Sequence, residues 1–463
     1  MAIFLIILSG PIQFLILANM GGLNVKPIHV CFVSIILFST LYKESFPFFL
    51  ELLRRYWGFF GGFLLYLVIL LFSAYWANDI GAVFSKFVKF FTYFSICLLS
   101  TLVFSKSSYA SVVRAVIFGA IGAVSAFIII AIIALHFFGQ NFFFFIINAL
   151  KTGNFAAFQF SLYIYLSQYF GSTDPVETAG IRHATVNFLV FMFLLFMAIQ
   201  PLMKQRGQAQ RIAGVVAAAM SILIIILSFS RSSIALIGVV LMFVWMFKLR
   251  RSQFRLPSRQ TAFTLAAAMI VVAGAIILLF ASSGLQTSLG KLGAVFADRF
   301  AKLDNDERIR IYILAIQKLD LSPLFGYGGG ARVATTDNHY QIHNVFLNAW
   351  FETGILGLLA SITFFGALLT AWTTNTLKFM RRPELWALPY SPAWTMALPI
   401  LPLINALQGG DGNFDLASFF CISAFYGWLR ANDVAFANRH RAHAAESDIS
   451  RSAREASRPL PAT

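Results

Sequence analysis

Runs of 18 or more apolar residues recur along this chain and are separated by short polar connections. A helix of that length crosses the hydrocarbon core of a bilayer, so each run predicts a transmembrane helix. Hydrophobic residues make up 59% of the 463 residues and charged residues only 12%. A soluble core of this size does not need so much apolar surface, so the sequence predicts an all-α polytopic integral membrane protein.

We predict about twelve transmembrane helices from these apolar runs. Their approximate bounds are 3–20, 28–43, 57–76, 82–104, 112–137, 184–203, 211–229, 233–248, 261–281, 343–375, 392–408 and 414–430. The chain is thereby divided into helices 1–9 (residues 1–280), a large loop (281–342), helices 10–12 (343–430) and a tail (431–463). The tail is rich in Ala, Ser, Arg and Pro, which predicts disorder. Because the N-terminus lacks a basic segment and an Ala-x-Ala site, we interpret helix 1 as retained.

The basic residues predict how these helices are oriented. With the N-terminus in the cytoplasm, each even-numbered connection carries basic residues, as the positive-inside rule requires. These residues are Lys43/Arg54/Arg55, Lys106, Lys204/Arg206, Lys248/Arg250/Arg251/Arg255/Arg259 and Lys378/Arg381/Arg382. The net charge of +16 therefore reports topology and does not imply nucleic acid. Loop 281–342 and the half-apolar segment 138–183 then face outward, and both termini are cytoplasmic.

A histidine follows the large loop at the predicted outer surface. His343 begins helix 10, and a neutral imidazole there can accept a proton from a hydroxyl group near neutral pH. Glu352 lies nine residues further on, where it can orient groups near the histidine or line a polar cavity. Ionisable groups at a bilayer edge mark function by default. The alternative is that His343 and Asn344 only cap a helix at a wet interface.

Four arginines lie on the same predicted side, against the positive-inside bias. Arg182 precedes helix 6, Arg231 lies in a serine-rich corner between helices 7 and 8, and Arg308 and Arg310 share the large loop. Arginine forks match phosphate oxygens in pairs and keep their charge. We interpret the set as ligands of a pyrophosphate at the membrane surface. For any one of them, contact with lipid headgroups is the alternative.

The sequence predicts no metal and no other cofactor. His339 and His343 are four residues apart, but the pattern His-Tyr-Gln-Ile-His lacks the glutamate of a helical zinc motif. Asp304-Asn305-Asp306 resembles a metal-binding Asp-x-Asp, yet no βαβ pattern precedes it. The glycine-rich stretch 326–330 lacks both a potassium-filter and a phosphate-loop signature, so we interpret it as a turn after Ser322-Pro323.

Taken in order, these motifs resemble the superfamily of O-antigen ligases and Wzy-type polymerases. The resemblance covers roughly Trp76 to Leu359 and is strongest from Arg308 to Gly357. Its motifs are Trp76-Ala77-Asn78-Asp79, Ser230-Arg231, Arg308-Ile-Arg310-Ile-Tyr312, Ser322-Pro323-Leu324-Phe325-Gly326-Tyr327-Gly328, His343-Asn344 and Glu352-Thr353-Gly354. Arg182 corresponds less closely, because His183-Ala184-Thr185-Val186-Asn187 replaces the stretch that the family often has after such an arginine.

The resemblance implies a glycan transferase of the bacterial inner membrane that acts on the periplasmic face. Its donor is a glycan on undecaprenyl pyrophosphate, and its acceptor is the lipid A-core sugar or a second lipid-linked repeat unit. His343 corresponds to the histidine proposed to activate the acceptor hydroxyl. Arg231 and Arg308 correspond to the arginines that hold the pyrophosphate. No metal or nucleotide sugar is implied.

The sequence leaves several functions open. Ligase and polymerase share the donor and the histidine, so the residues do not separate them. A polysaccharide or ion transporter would place charged residues near mid-membrane, whereas the charges here gather at the predicted outer ends of helices. A structural or assembly protein of the membrane is the third hypothesis.

Overall fold

The computed structural model describes about two thirds of the chain. The described residues are 2–9, 18–20, 23–25, 33, 36, 45–141, 144, 147, 148, 165, 175–203, 207, 208, 211, 212, 214–216, 218, 219, 221, 231–250, 307–334, 339, 340, 342–408 and 415–456. The predicted helix 261–281, most of helices 28–43 and 211–229, and the loop from 281 to 306 lie outside them.

The described residues are mainly helical. The helices are α1 (Ala2–Ser9), α2 (Ser45–Arg55), α3 (Trp57–Phe72), α4 (Ile80–Lys106), α5 (Tyr109–Phe137), α6 (Pro175–Met203), α7 (Arg231–Arg250), α8 (Glu307–Leu319), α9 (Val345–Arg381), α10 (Pro392–Ala397), α11 (Ile400–Gln408) and α12 (Leu416–Ala456). Short 3₁₀ turns occupy Ser73–Tyr75 and Pro383–Leu385. Two small antiparallel hairpins pair β1 (Ala18–Met20) with β2 (Leu23–Val25) and β3 (Val333–Ala334) with β4 (His339–Tyr340).

Five helical segments of the described residues are long and apolar enough to cross a membrane. They are Trp57–Tyr75, Ile80–Lys106, Tyr109–Phe137, Val186–Met203 and Val345–Arg381. Leu236–Lys248 and Pro392–Leu407 are shorter apolar helical segments. The prediction of a helical membrane protein is confirmed, whereas twelve spans and the position of the large loop stay predictions.

Several predicted helix bounds are wrong. Helix 3–20 ends at Ser9, and Ala18–Met20 is a strand; Gly10-Pro11 is a helix-ending pair, and Gly21-Gly22 suits a two-residue hairpin. Helix 392–408 is divided at Leu398 and Pro399, because proline removes a helical donor.

The C-terminal tail also differs from the prediction, since helix α12 continues to Ala456 where disorder was expected from residue 431. Alanine and arginine are frequent in this part of the sequence and favour helix. The first residues of the tail are also held by hydrogen bonds to the segment after α9. Asn432 accepts a hydrogen bond from the Ala387 amide at 2.6 Å, and Arg439 donates one to the Ala387 carbonyl at 2.7 Å.

The core lies where α3, α4, α9 and α12 pack together. Helix α12 packs along α4, and α3 packs along α9. Aromatic rings fill the space between them: Phe63 contacts Phe364 of α9 and Phe419 of α12 at centroid distances of 5.2 and 5.4 Å. This packing of apolar rings brings the starts of α4, α9 and α12 close together. These starts carry the buried charged side chains Lys86, Glu352 and Asp415.

Candidate functional site

Helix α9 is broken two residues after its buried glutamate, Glu352. Gly354 has φ 67° and ψ −165°, which lies outside helical geometry. A helix normally uses its carbonyls within itself, so a break leaves some of them available. The carbonyls of Phe351 and Glu352 accept hydrogen bonds from the amides of Tyr327 and Gly328 at 2.9 and 2.8 Å. Residues 345–353, the first segment of α9, are thereby attached to the stretch 326–330.

We call residues 326–330 the glycine turn, and its close contacts explain its composition. Gly326, Gly328 and Gly330 all have positive φ, at 68°, 93° and 83°, which glycine adopts without strain. A Cβ on Gly328 would lie 2.3 Å from the Ala77 Cβ, and one on Gly326 would lie 2.6 Å from the Phe351 carbonyl oxygen. The turn predicted from sequence is confirmed, and its role as a joint between helices is new.

The other side of the glycine turn contacts the connection between α3 and α4. The Gly329 amide donates to the Ser73 hydroxyl at 2.9 Å. The Trp76 ring packs edge-on against Phe325 at a centroid distance of 5.5 Å. Asp79 caps α4 by accepting from the Ala82 amide at 3.0 Å. Three motifs far apart in sequence, beginning at Trp76, Ser322 and Glu352, therefore meet in one place.

A buried ion pair lies beside this joint. The Lys86 ammonium on α4 donates to both carboxylate oxygens of Glu352. Glu352 is fully buried and Lys86 is 6% exposed. The prediction that Glu352 orients groups near the site is compatible with this contact. Sequence analysis did not identify Lys86 as the partner of Glu352. The available signal was a pair of lysines, Lys86 and Lys89, within the apolar run of α4.

His343 and Asn344 form the start of α9. The Asn344 side chain caps the helix by accepting from the amides of Phe346 and Leu347, each at 3.0 Å, so its capping interpretation is confirmed. Asn344 also donates to the Leu407 carbonyl at the end of α11, at 3.3 Å. His343 is half-buried, and its carbonyl accepts from the Tyr312 hydroxyl of α8 at 2.9 Å. Contacts from two other helices therefore hold the backbone at the histidine.

Helix α8 packs on the first segment of α9 through an apolar stripe. Ile311, Ala315 and Leu319 are buried and share a cluster with Ile342 and Phe351. Their spacing of four residues is that of one helix face. This small core explains how the part of the large loop next to His343 is held in place.

The structure locates the four predicted arginines in three helices. Arg308 lies on α8 one turn before Tyr312, and the Arg310 side chain is exposed. Arg231 is the first residue of α7. Arg182 lies within α6, which begins at Pro175 and not after the arginine as predicted. The side chains of Arg182, Arg231 and Arg308 fall outside the description, so pyrophosphate binding stays a prediction.

The histidine pair that resembles a helical zinc motif does not have helical geometry. His339 lies in strand β4, and His343 precedes the cap of α9. Within the described residues, no group of three or more His, Cys, Asp or Glu side chains is arranged to hold a metal ion. Asp304-Asn305-Asp306 lies outside the described residues.

A second buried polar group lies at the start of α12. Asp415 accepts from the Asn187 side chain of α6 at 2.6 Å and from the Ser418 amide at 2.8 Å. Asn405 of α11 donates to the Ser418 hydroxyl at 3.1 Å. These contacts join α6, α11 and α12 through side chains that are all less than 10% exposed. Sequence analysis did not identify this group, because its members are 228 residues apart in the case of Asn187 and Asp415.

Residues 215–362 match the Wzy_C family model, which is described as O-antigen ligase. The match includes α7, α8, the glycine turn and the first segment of α9, with His343 and Glu352 in it. It confirms the resemblance that the ordered motifs indicated. No curated protein matches the chain.

Proposed function

We propose that this protein is a membrane glycan transferase of the O-antigen ligase type, which moves a glycan from undecaprenyl pyrophosphate to a sugar hydroxyl on the periplasmic face of the inner membrane. The family match over residues 215–362 carries the proposal. The joint between the glycine turn and α9 supports it, because the residues that make this joint are the ones that carry the resemblance.

The reaction needs one proton removed and one leaving group stabilised. The acceptor hydroxyl oxygen attacks the anomeric carbon of the donor sugar, and His343 takes the hydroxyl proton. The bond from that carbon to the pyrophosphate oxygen breaks, and the pyrophosphate leaves with the electron pair. Arg231 and Arg308, with Arg182 and Arg310 as further candidates, stabilise the charge that develops on it. A single displacement of this kind inverts the anomeric configuration.

Two features of the described residues suit His343 to the role of base. Its side chain is half-buried and therefore accessible, and its backbone is held by Tyr312 and by the capped start of α9. A base must be held in place to act within hydrogen-bond reach of the acceptor hydroxyl. Glu352 and Asn344 support the segment and do not take part in bond making.

Polymerase is the alternative within the same chemistry, with a second lipid-linked repeat unit as acceptor. The cell-envelope glycans of a deletion strain separate the two. Unattached full-length polymer indicates a ligase, whereas single repeats still joined to the lipid A-core indicate a polymerase. A deletion strain that shows neither of these two changes would contradict the proposal. If that strain instead retains polymer inside the cell, the polysaccharide transporter becomes the leading hypothesis.

A direct test uses purified protein, lipid-linked donor and acceptor in detergent or vesicles. We expect transfer without added metal and in the presence of excess chelator, because the proposed chemistry uses only a base and arginines. Loss of transfer in chelator, with recovery on addition of magnesium, manganese or zinc, would contradict the metal-independent mechanism.

A further inference from the structure

The buried Lys86–Glu352 pair is not used by the proposed chemistry, and its position suggests a separate role. We propose that Lys86 is a positioning residue, which acts through Glu352 to hold the first segment of α9 (345–353) and, with it, His343. This inference rests on the proposed function, since it assigns a purpose to the position of His343. It adds a residue on α4, outside the matched region 215–362.

Stability alone is a weak reason for this ion pair. Both side chains are almost completely buried, and removing two charges from water offsets much of their mutual attraction. Well-packed apolar side chains at such positions are often as stable as the ion pair. Within a membrane-spanning helix, charged residues are rarer still and mark functional positions. The pair is therefore better explained by the arrangement that it imposes.

The break at Gly354 creates the need for such a contact. Residues 345–353 are separated from the long remainder of α9 by a residue with non-helical geometry. The direction of this segment is consequently not determined by the rest of the helix. It has to be set by contacts from other elements.

Contacts with the rest of the protein are made at both ends of the segment. At its start, Asn344 donates to Leu407 and the His343 carbonyl accepts from Tyr312. At its end, the Phe351 and Glu352 carbonyls accept from the glycine turn. Lys86 adds a contact to the Glu352 side chain, from a different element than the one that binds the carbonyls. Backbone contacts hold the end in place, and the side-chain contact resists rotation about the axis.

Lys86 also belongs to a helix that contacts the first segment of α9 by two routes. It lies on α4, and the connection that leads into α4 contacts the glycine turn at Ala77 and Gly328. The same helix thus reaches the first segment directly through Lys86 and indirectly through the turn. Glu352 is nine residues from His343, or about 14 Å along a helix, so Lys86 acts at a distance and does not contact the acceptor.

The test removes both charges together. Lys86→Met with Glu352→Gln leaves no uncompensated buried charge, so we expect a folded protein with a thermal midpoint near that of the wild type. Because small displacements of a reacting group reduce rates strongly, we expect kcat to fall by about 10- to 100-fold with KM little changed. The charge-reversed variant, Lys86→Glu with Glu352→Lys, is expected to recover most of the lost kcat.

A matched control uses the ion pair between Arg430 of α12 and Glu51 of α2, which has an N–O distance of 2.7 Å. It also joins two helices but lies near the predicted cytoplasmic ends, at the opposite predicted side from the first segment of α9. Arg430→Met with Glu51→Gln should leave kcat and KM unchanged. A kcat loss of the same size in this control would show that any interhelical ion pair matters, and would overturn the proposal.

A readout independent of transfer follows the segment itself. In a background without Cys31, Cys97 and Cys421, a cysteine at the buried Asn348 should react slowly with a maleimide. We expect the neutral double variant to react at least several-fold faster. Faster labelling together with an active His343→Ala variant would keep the positioning role and reject His343 as the base. Full kcat in the neutral double variant would overturn the positioning role and leave the proposed function intact.

Failure of the neutral double variant to fold would show that the pair also serves stability, and this variant would then say nothing about the position of the segment. In that case the charge-reversed variant decides independently. If it is folded, with Asn348→Cys protected, and yet lacks transfer, the position of the segment is not what Lys86 contributes.

Discussion

The Gly328 amide donates a hydrogen bond of 2.8 Å to the Glu352 carbonyl, immediately before the break that Gly354 makes in helix α9. The two residues are part of separate motifs, and the contact attaches a loop segment to the membrane-spanning helices. Since His343 lies at the start of the same helical segment, the position of the proposed base depends on this joint.

Gly354→Ala is predicted to damage the joint. An alanine there would need φ near 67°, and its Cβ would lie 1.9 Å from the Leu324 carbonyl oxygen. We expect a loss of stability of about 1–3 kcal/mol or more, measured by thermal unfolding in detergent, together with a large loss of transfer. Gly366→Ala is the matched control on the same helix, since no atom lies within 4 Å of its Cβ position. Equal effects of the two substitutions would contradict the importance of the break.

His343→Ala is predicted to lower transfer by about 10²- to 10⁴-fold, the usual range for a positioned base. Expression should stay intact, because alanine retains the backbone carbonyl that accepts the hydrogen bond from Tyr312. His136→Ala, an exposed histidine at the end of α5, serves as the control. Near-normal transfer by His343→Ala would remove this residue from the mechanism.

Arg308→Lys is predicted to impair transfer although it preserves the charge. A lysine provides a point charge and cannot replace the planar fork that pairs with two phosphate oxygens. The loss should appear in assays with lipid-linked donor, and Arg231→Lys should behave in the same way. Arg332→Lys is the control, because Arg332 is an exposed arginine from the same part of the chain. Full activity of both lysine variants would mean that the contact is only electrostatic.

Asn187→Ala is predicted to destabilise the protein by about 1–3 kcal/mol, because it removes the side-chain donor to one oxygen of the buried Asp415 carboxylate and leaves the Ser418 amide on the other. The effect should appear as a lower thermal midpoint, with little change in KM for the donor. Asn375→Ala is a matched control, since Asn375 only donates to the Ala371 carbonyl within its own helix at 2.7 Å. A KM change without loss of stability would instead indicate that Asn187 contacts a substrate.

Residues near the glycine turn are predicted to face the periplasm. A cysteine at Leu321, which is 84% exposed, should react with a membrane-impermeant maleimide in cells whose outer membrane has been permeabilised. A cysteine at the exposed Glu384, next to the basic residues Arg381 and Arg382, should stay protected until the inner membrane is opened. The reverse pattern would place His343 in the cytoplasm and exclude transfer from a periplasmic donor.

Much of the helical structure was predictable from sequence because it depends on local composition. The apolar runs that predicted helices at 57–76, 82–104 and 112–137 correspond to α3 with its 3₁₀ turn, α4 and α5. The bounds were less predictable. Helix α6 begins at Pro175, ahead of Arg182, and α12 extends to Ala456, because polar helical residues lack the apolar signal on which the prediction depended.

The sequence by itself determined the class of protein and the family resemblance, because long apolar runs and ordered motifs can be recognised without knowing what they contact. Only the tertiary structure decided which groups meet. Lys86 and Glu352 are 266 residues apart, and nothing local in either helix indicates the other. The break at Gly354 likewise appears in sequence as one glycine among 31. Its conformation is stabilised by the glycine turn, whose amides donate hydrogen bonds to the carbonyls that the break leaves free. These hydrogen bonds form only in the folded chain.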